Sequence, residues 1–369
     1  MSRDRAIRIL HCIPSLGGGG SEKQLSYLAP NMAMLGSNEH LAFVHDGLNS
    51  EFLKPAVSLH QLTGRGNYDP ALVYKLIKLI RTIRPDVIQT WILQMDVIGG
   101  IAAMATRTPW VLREPSSSAV PNSLKRALRL HLARGASAVI ANSTDGLRYW
   151  RTHYPEKKMA LIPNAVPVEA IRDASARSLS EFGIRDDQKV VLYVGRLIPS
   201  KNLKCLIGAL ARVMKDQSVM AVLCGDGPLL IELKQDIRLA GLENRILLPG
   251  YEPSVWGMMK RADVFVFPSH FEGCPNAVLE AMACGTPLVV SDIAAHRELL
   301  DDNSALFVDR SDPERMARAI MDSIENISAS RQRAEHAKMV VANLSPSDVA
   351  QKYLDTYTNV LNNLRTPVK

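Results

Sequence analysis

The chain has 369 residues, 47% of them hydrophobic and 22% charged, which is the length of two or three domains and the composition of an ordinary soluble globular protein. Five scattered cysteines (Cys12, Cys205, Cys224, Cys274, Cys284) without a Cys-x-x-Cys pair exclude a zinc or disulfide framework, and no segment approaches the roughly 18 apolar residues of a transmembrane helix. The net charge of +7 is unevenly placed: residues 1–165 hold 20 Lys/Arg against 11 Asp/Glu, and the remainder 24 against 26. The front half is therefore suited to meet something anionic, with plain surface solubility as the alternative.

In chain order, short apolar runs over 7–13, 40–45, 57–62, 87–91, 110–113, 138–142 and 159–162 predict strands. Amphipathic stretches over 22–35, 71–83, 98–105, 123–134 and 144–153 predict the helices between them. The first apolar run is too short for a signal sequence, so a cytoplasmic protein is expected. A polar, low-aromatic stretch up to residue 188 interrupts the alternation and reads as a linker over 168–188. Strands are then predicted over 189–194, 221–224, 246–248, 264–268, 288–291 and 306–309, with helices over 203–214, 229–239 and 276–283. The tail is helical over 313–324, 329–341 and 346–364. Strand–helix alternation of this kind predicts an α/β protein of two Rossmann-like, doubly wound parallel-sheet domains, 1–167 and 189–346, facing a central cleft. The last helix, about 347–365, is expected to pack back on the first domain.

Four segments carry chemistry. Gly17, Gly18, Gly19 and Gly20 lie between the first strand and a helix, where backbone N–H groups can approach a phosphate; a bare turn is the alternative. Gly195, Arg196 and Lys201 follow the first strand of the second half, and a guanidinium fork with a nearby ammonium suits a diphosphate. Cys224-Gly225-Asp226-Gly227-Pro228 is a tight turn after another strand, with Pro228 suited to the first position of the next helix. The run from Ser269 to Gly285 is the most informative. Asn276 is placed as the N-cap of a helix that stops at Gly285, and Glu272 and Glu280 are separated by seven residues across its start. The helix end can hold an anion, while the two carboxylates can accept bonds from sugar and ribose hydroxyls. His270 and His296 are read as structural.

With these motifs, and with Glu22, Asn142-Ser143 and Ile162-Pro163-Asn164, nearly the whole chain resembles the retaining glycosyltransferases of family 4, which have the GT-B fold. The resemblance implies an enzyme that moves a hexose or N-acetylhexosamine from a nucleotide sugar, UDP-linked by expectation, to a glycan or lipid-linked saccharide, as in bacterial surface polysaccharide or glycoconjugate synthesis. It implies that Arg196 and Lys201 hold the diphosphate, Glu280 the ribose, and Glu272 with Gly273, Cys274, Pro275, Asn276 and Ala277 the donor sugar. The base would lie near Gly250 and Tyr251, with Gly225 beside the cleft and the loop of Gly17, Gly18 and Gly19 closing over the phosphates. Glu272, Arg196 and Lys201 are the expected catalytic groups, with no cofactor and no metal.

The chain departs from the family where many relatives carry acceptor-side histidines. Glu114 or Pro115 stands at one such place, in a stretch running on to Ser116 and Ser117, and Gln94 at another; Arg113, Glu114 and Gln94 are the acceptor-side candidates. Residues 122–134 place Leu124, Leu128 and Leu132 in one stripe beside Lys125, Arg126, Arg129 and Arg134, which suits an anionic membrane surface or, alternatively, packing on the sheet. Peripheral association with the inner face of the cytoplasmic membrane is the expectation. Two other readings are an epimerase of UDP-N-acetylglucosamine with a similar fold and a non-catalytic scaffold. A nucleic-acid partner is not expected, because aromatics make up only 5% and do not interleave with the basic residues.

Overall fold

A computed structural model describes residues 5–66, 69–114, 123–215 and 218–365. Pro115, Ser116, Ser117 and Asn122 lie outside the described residues. The chain forms two compact units, Met1–Ala165 with Leu344–Lys369, and Val166–Asn343.

In the first unit, strands β1 (Arg8–Cys12), β2 (Asn38–Phe43), β3 (Ser58–Gln61), β4 (Val87–Trp91), β5 (Trp110–Glu114), β6 (Ala138–Ala141) and β7 (Met159–Leu161) form one parallel sheet in the order β3-β2-β1-β4-β5-β6-β7. Between them run α1 (Gly20–Met34), α2 (Ser50–Leu53), α3 (Pro70–Ile83), α4 (Ile92–Thr106), α5 (Leu124–Leu132) and α6 (Thr144–His153). Helices cover both faces of such a sheet, so its central strands are covered on both sides; every residue of β4, β5 and β6 is buried, the polar Gln89, Thr90, Arg113 and Glu114 included. Local signals agree with this layout. Asp69 caps α3, its carboxylate accepting from Ala71 N–H at 2.9 Å, Pro70 opens the helix, and Leu72, Leu76, Ile80 and Ile83 face the core.

The second unit holds α7 (Val168–Asp173) and strands β8 (Lys189–Val194), β9 (Val219–Cys224), β10 (Ile246–Gly250), β11 (Val264–Phe267), β12 (Leu288–Ser291) and β13 (Leu306–Val308), in the order β10-β9-β8-β11-β12-β13, again all parallel. Its other helices are α8 (Leu203–Val213), α9 (Leu230–Leu239), α10 (Trp256–Arg261), α11 (Asn276–Cys284), α12 (Ala294–Arg297), α13 (Pro313–Glu325) and α14 (Ile327–Val341). In both sheets the strand order reverses beside the first strand of the unit, at β1/β4 and β8/β11, the kind of place where α/β sheets bind ligands at the strands' C-terminal ends.

The last helix, α15 (Pro346–Arg365), belongs to the first unit and packs on α1. Aromatic side chains dock it. Tyr353 stacks on Trp91 with ring centroids 6.3 Å apart and receives a bond from Arg113 Nε at 2.9 Å, and Tyr357 donates to Gln89 Oε1 at 3.0 Å. Both tyrosines are fully buried, and burying each apolar ring contributes on the order of 2 kcal/mol.

Several expectations are corrected. The segment 168–188 is not a linker but folds into the second unit. It carries α7, buries Ile171, Leu179 and Ile184, and sends Arg177 to Glu252 at 3.0 Å. Its polar surface hid these apolar anchors. Helix α4 begins at Ile92, six residues before the predicted start. Ile92 sits at φ +70°, a conformation that costs a β-branched residue on the order of 1–3 kcal/mol. Pro228 lies ahead of α9, which begins at Leu230. Asn276 is the first residue of α11 rather than its cap, which is Pro275.

Candidate active site

In the second unit, the loops leaving β8, β9, β10 and β11 lock together through backbone contacts. Gly195 N–H donates to Cys224 C=O at 3.0 Å, Leu197 N–H to Asp226 C=O at 2.9 Å and Gly225 N–H to Gly250 C=O at 2.7 Å. Gly225 (φ +145°) leaves no room for a side chain: a Cβ there would overlap the Gly195 carbonyl oxygen. Gly195, Gly225 and Gly250 thus form one continuous bed at the strand ends. Gly195 also packs against the side chain two residues before it. A Cβ at this position would lie 2.5 Å from the Tyr193 hydroxyl, which donates to Arg196 C=O at 3.0 Å. The Arg196 side chain is exposed and has no hydrogen bond or ion pair among the described residues.

Lys201 closes a short turn, Pro199–Lys201, that is tied to the loop after β11. His270 N–H donates to Ser200 C=O at 2.8 Å, and Asn202 Nδ2 donates to Pro268 C=O at 3.1 Å. These ties bring Lys201 and Glu272 into an ion pair. The ammonium also lies 4.8 Å from the centre of the Phe267 ring, which stacks on Tyr193 at 5.8 Å. Beneath the pair, His296 is buried. Its Nδ1–H donates to Ser291 C=O at 2.8 Å, and burial lowers its pKa. His296 keeps the structural position expected of it.

Helix α11 starts at Asn276, after its cap residue Pro275, with no side chain capping it, so its first N–H groups, from Asn276 and Ala277 on, point out of the helix end just after Glu272, Gly273 and Cys274. Glu280 is buried one turn on and accepts from Trp256 Nε1 at 3.0 Å. Tyr251, 55% exposed, follows Gly250 at the mouth of the bed. The second unit therefore gathers the donor-side candidates on one face of strand ends, with two cations, a helix N-terminus and two carboxylates. Tyr193, Phe267 and Trp256, which hold them, carried no motif signal in the sequence. An aromatic residue inside an apolar strand, as Tyr193 and Phe267 are, or at the start of a short helix, as Trp256 is, looks like any other core position.

In the first unit, the loop of Gly17, Gly18 and Gly19 leads into α1, whose cap residue Gly19 receives no side-chain cap. Glu22 folds back so that its carboxylate lies against the Cα of Gly19 and accepts from Ser15 Oγ at 2.8 Å. Asn49 further pins the loop through Gly17 C=O.

Two acceptor-side candidates are also corrected. Arg113 is buried: its guanidinium donates to Tyr353 and, at 2.6 Å, to Asn164 Oδ1, and stacks on Trp91. Glu114 is buried and paired with Arg129 at 2.7 Å, and it also accepts from Trp150 Nε1 at 3.0 Å. Arg129 bridges to Asp96 as well, at 2.7 Å. The apolar surroundings and the neighbouring Glu114 push the Asp96 carboxyl up to about 6, against the pull of Arg129. These groups bind the sheet to its helices. Gln94, 7% exposed, lies just after the strained Ile92 in α4.

A family model described as Glycosyltransferase Family 4 matches residues 18–170, and one described as Glycosyl transferases group 1 matches 176–339. The chain belongs to glycosyltransferase family 4. This glycosyltransferase is 28% identical over 335 residues to the N-acetylgalactosamine-N,N'-diacetylbacillosaminyl-diphospho-undecaprenol 4-alpha-N-acetylgalactosaminyltransferase of Campylobacter jejuni, covering 85% of this chain and 89% of that protein. It is 28% identical over 241 residues to the UDP-Gal:alpha-D-GlcNAc-diphosphoundecaprenol alpha-1,3-galactosyltransferase of Escherichia coli, covering 61% of this chain and 62% of that protein. Among solved structures, Anabaena HepE in complex with UDP and glucose superimposes with a TM-score of 0.84 at 23% identity, covering 95% and 99% of the two chains. That likeness establishes the GT-B fold, with its two parallel-sheet domains.

Proposed function

We propose that this glycosyltransferase moves a hexose or N-acetylhexosamine from a UDP-sugar to a lipid-linked saccharide, with retention at the anomeric carbon, in surface polysaccharide or glycoconjugate synthesis. The Lys201–Glu272 pair beside the uncapped start of α11 carries this reading. The donor's anomeric C–O bond breaks with its electron pair leaving on the diphosphate, and the acceptor oxygen bonds to the same face of that carbon while its proton passes to the departing diphosphate oxygen. Lys201, Arg196 and the helix end meet the charge that develops on the leaving group, as preorganised donors do in a water-poor site. These protein groups supply the positive charge, so the reaction in this reading is metal-independent. Glu272 and Gly273 to Ala277 hold the sugar, Glu280 the ribose, and the loop of Gly250 and Tyr251 the base.

The acceptor class is supported by the two relatives above, whose names specify diphosphoundecaprenol-linked saccharides, and the nucleotide by the second, whose name specifies UDP-Gal. No helix among the described residues is long and apolar enough to cross a membrane. In this reading the lipid-linked acceptor is met at the membrane surface. The start of α5 offers one. Leu124 is 86% exposed, Leu128 41%, and Lys125 and Arg134 lie beside them. The experiment is a panel of UDP-sugars with a polyprenyl-diphosphate-linked saccharide. One donor should yield an elongated lipid with its anomeric configuration kept. Release of a free, isomerised sugar without acceptor would instead mark an epimerase.

A further inference from the structure

The Glu280 carboxylate is steered by a side chain outside every motif. Trp256, the first residue of α10, donates its indole N–H to Glu280 Oε2 at 3.0 Å. The two helices pack together, and α10 is pinned to the end of α11 by two further bonds. The Cys284 thiol donates to Trp256 C=O at 3.7 Å, and Thr286 Oγ1 donates to Met259 C=O at 2.7 Å. On its other side, Gly257 presses on the segment before β8. A Cβ at Gly257 would lie 2.9 Å from Ser175 C=O, and Arg177 N–H donates to Gly257 C=O at 3.0 Å. The backbone that carries the indole is thus tied on two sides.

We propose that Trp256 is a positioning residue that sets this enzyme's selectivity for ribose over deoxyribose in the donor nucleotide. The inference rests on the assignment of Glu280 to the ribose. The terminal torsion of a glutamate is soft, so an unheld carboxylate can face one hydroxyl as easily as two. A carboxylate has about four acceptor positions, and an N–H that claims one helps to fix the plane in which the group meets a vicinal diol. A charge-assisted N–H···O⁻ bond is strong enough to hold that plane. A buried site built to accept from a hydroxyl rejects the analogue that lacks it, because the acceptor is left unpaired.

The test is calorimetric binding of UDP and 2′-deoxy-UDP to the full chain and to Trp256→Phe, Trp256→His and Glu280→Ala. The unmodified enzyme is expected to favour UDP by roughly tenfold or more, as befits a hydrogen bond to a charged group. Trp256→Phe is expected to weaken UDP while leaving 2′-deoxy-UDP within about twofold, cutting the ratio by about fivefold. Trp256→His keeps a ring N–H and should recover part of the ratio. A packing role alone would weaken both ligands equally and preserve the ratio in Trp256→Phe, which overturns the proposal, as does the same ratio in the Phe and His variants. If Glu280→Ala retains the full preference, the ribose assignment itself fails, independently of Trp256.

Discussion

Lys201 and Glu272, 71 residues apart in the chain, are ion-paired over the Phe267 ring, with their side chains only 15% and 12% exposed. Each is the other's counter-ion before any substrate arrives. Removing one leaves the other partly buried and unpaired, which costs more than the pair itself contributes. Lys201→Ala is expected to lower kcat on the order of a hundredfold, the usual scale for a lost charged contact to a developing anion. Glu272→Ala should act mainly on the sugar, and the double variant should lose far less than the two effects added. Steady-state kinetics of the three variants at saturating acceptor check this; strict additivity would mean that the two residues act apart.

Tyr193 props the backbone from which Arg196 projects, and its hydroxyl is the reason Gly195 must be a glycine. Tyr193→Phe removes one hydrogen bond and no volume, so donor affinity should fall by roughly threefold to tenfold with little change in folding. Gly195→Ala drives a Cβ into that hydroxyl and should be worse than Tyr193→Phe in both respects. Combining it with Tyr193→Phe should relieve part of the loss. Donor titrations and thermal melts of the single and double variants test this.

The buried cluster of Asp96, Glu114 and Arg129 gives the first unit a defined pH response. Burial pushes the folded Asp96 carboxyl up to about 6, above its ordinary value of 3.8, so the folded state holds the proton more tightly than the unfolded state. Its contribution to stability is therefore present in acid and declines as pH rises from about 4 to about 6, then stays level. Denaturant unfolding of the natural chain and Asp96→Asn should show the natural chain losing ground to the variant across that window. His296 in the second unit has the opposite sign: burial depresses its pKa, so its contribution is lost as pH falls below about 6.5.

The start of α5 should bind anionic vesicles at low salt and release them as salt rises. Leu124→Glu is expected to abolish co-flotation without changing the melting temperature, since Leu124 is exposed. Arg129 belonged to the same basic stripe in the sequence, but it is buried between two carboxylates. Arg129→Ala should destabilise the first unit by roughly 3–5 kcal/mol by stranding those charges. Equal flotation of the natural chain and Leu124→Glu would remove α5 from the membrane account.

What the sequence disclosed follows from period and punctuation. The strands 87–91, 189–194 and 288–291 are where their apolar runs placed them, because a strand covered on both faces has nothing but core positions. Gly285, in a left-handed conformation, ends α11 as anticipated, and α15 joins the first unit. Motif-borne residues such as Arg196, Lys201 and Glu272 stood out because charge at a strand end has few structural uses. What stayed hidden depended on partners distant in the chain. Arg113 and Glu114 looked available because Tyr353 and Arg129, which bury them, lie 240 and 15 residues away. The bond between Glu22 and Ser15 beside the glycine loop stayed hidden because a side chain folding backward along the chain has no periodic signature.

The account turns on one physical step, the holding of a diphosphate by fixed positive groups on the second unit. Calorimetric titration of UDP and of uridine into the natural chain and into Arg196→Ala and Lys201→Ala measures it directly. The prediction is that UDP binds at least about a hundredfold tighter than uridine, and that each substitution removes most of that gap while leaving uridine binding unchanged. Equal affinity for UDP and uridine, or a gap that survives the loss of both cations, would contradict it.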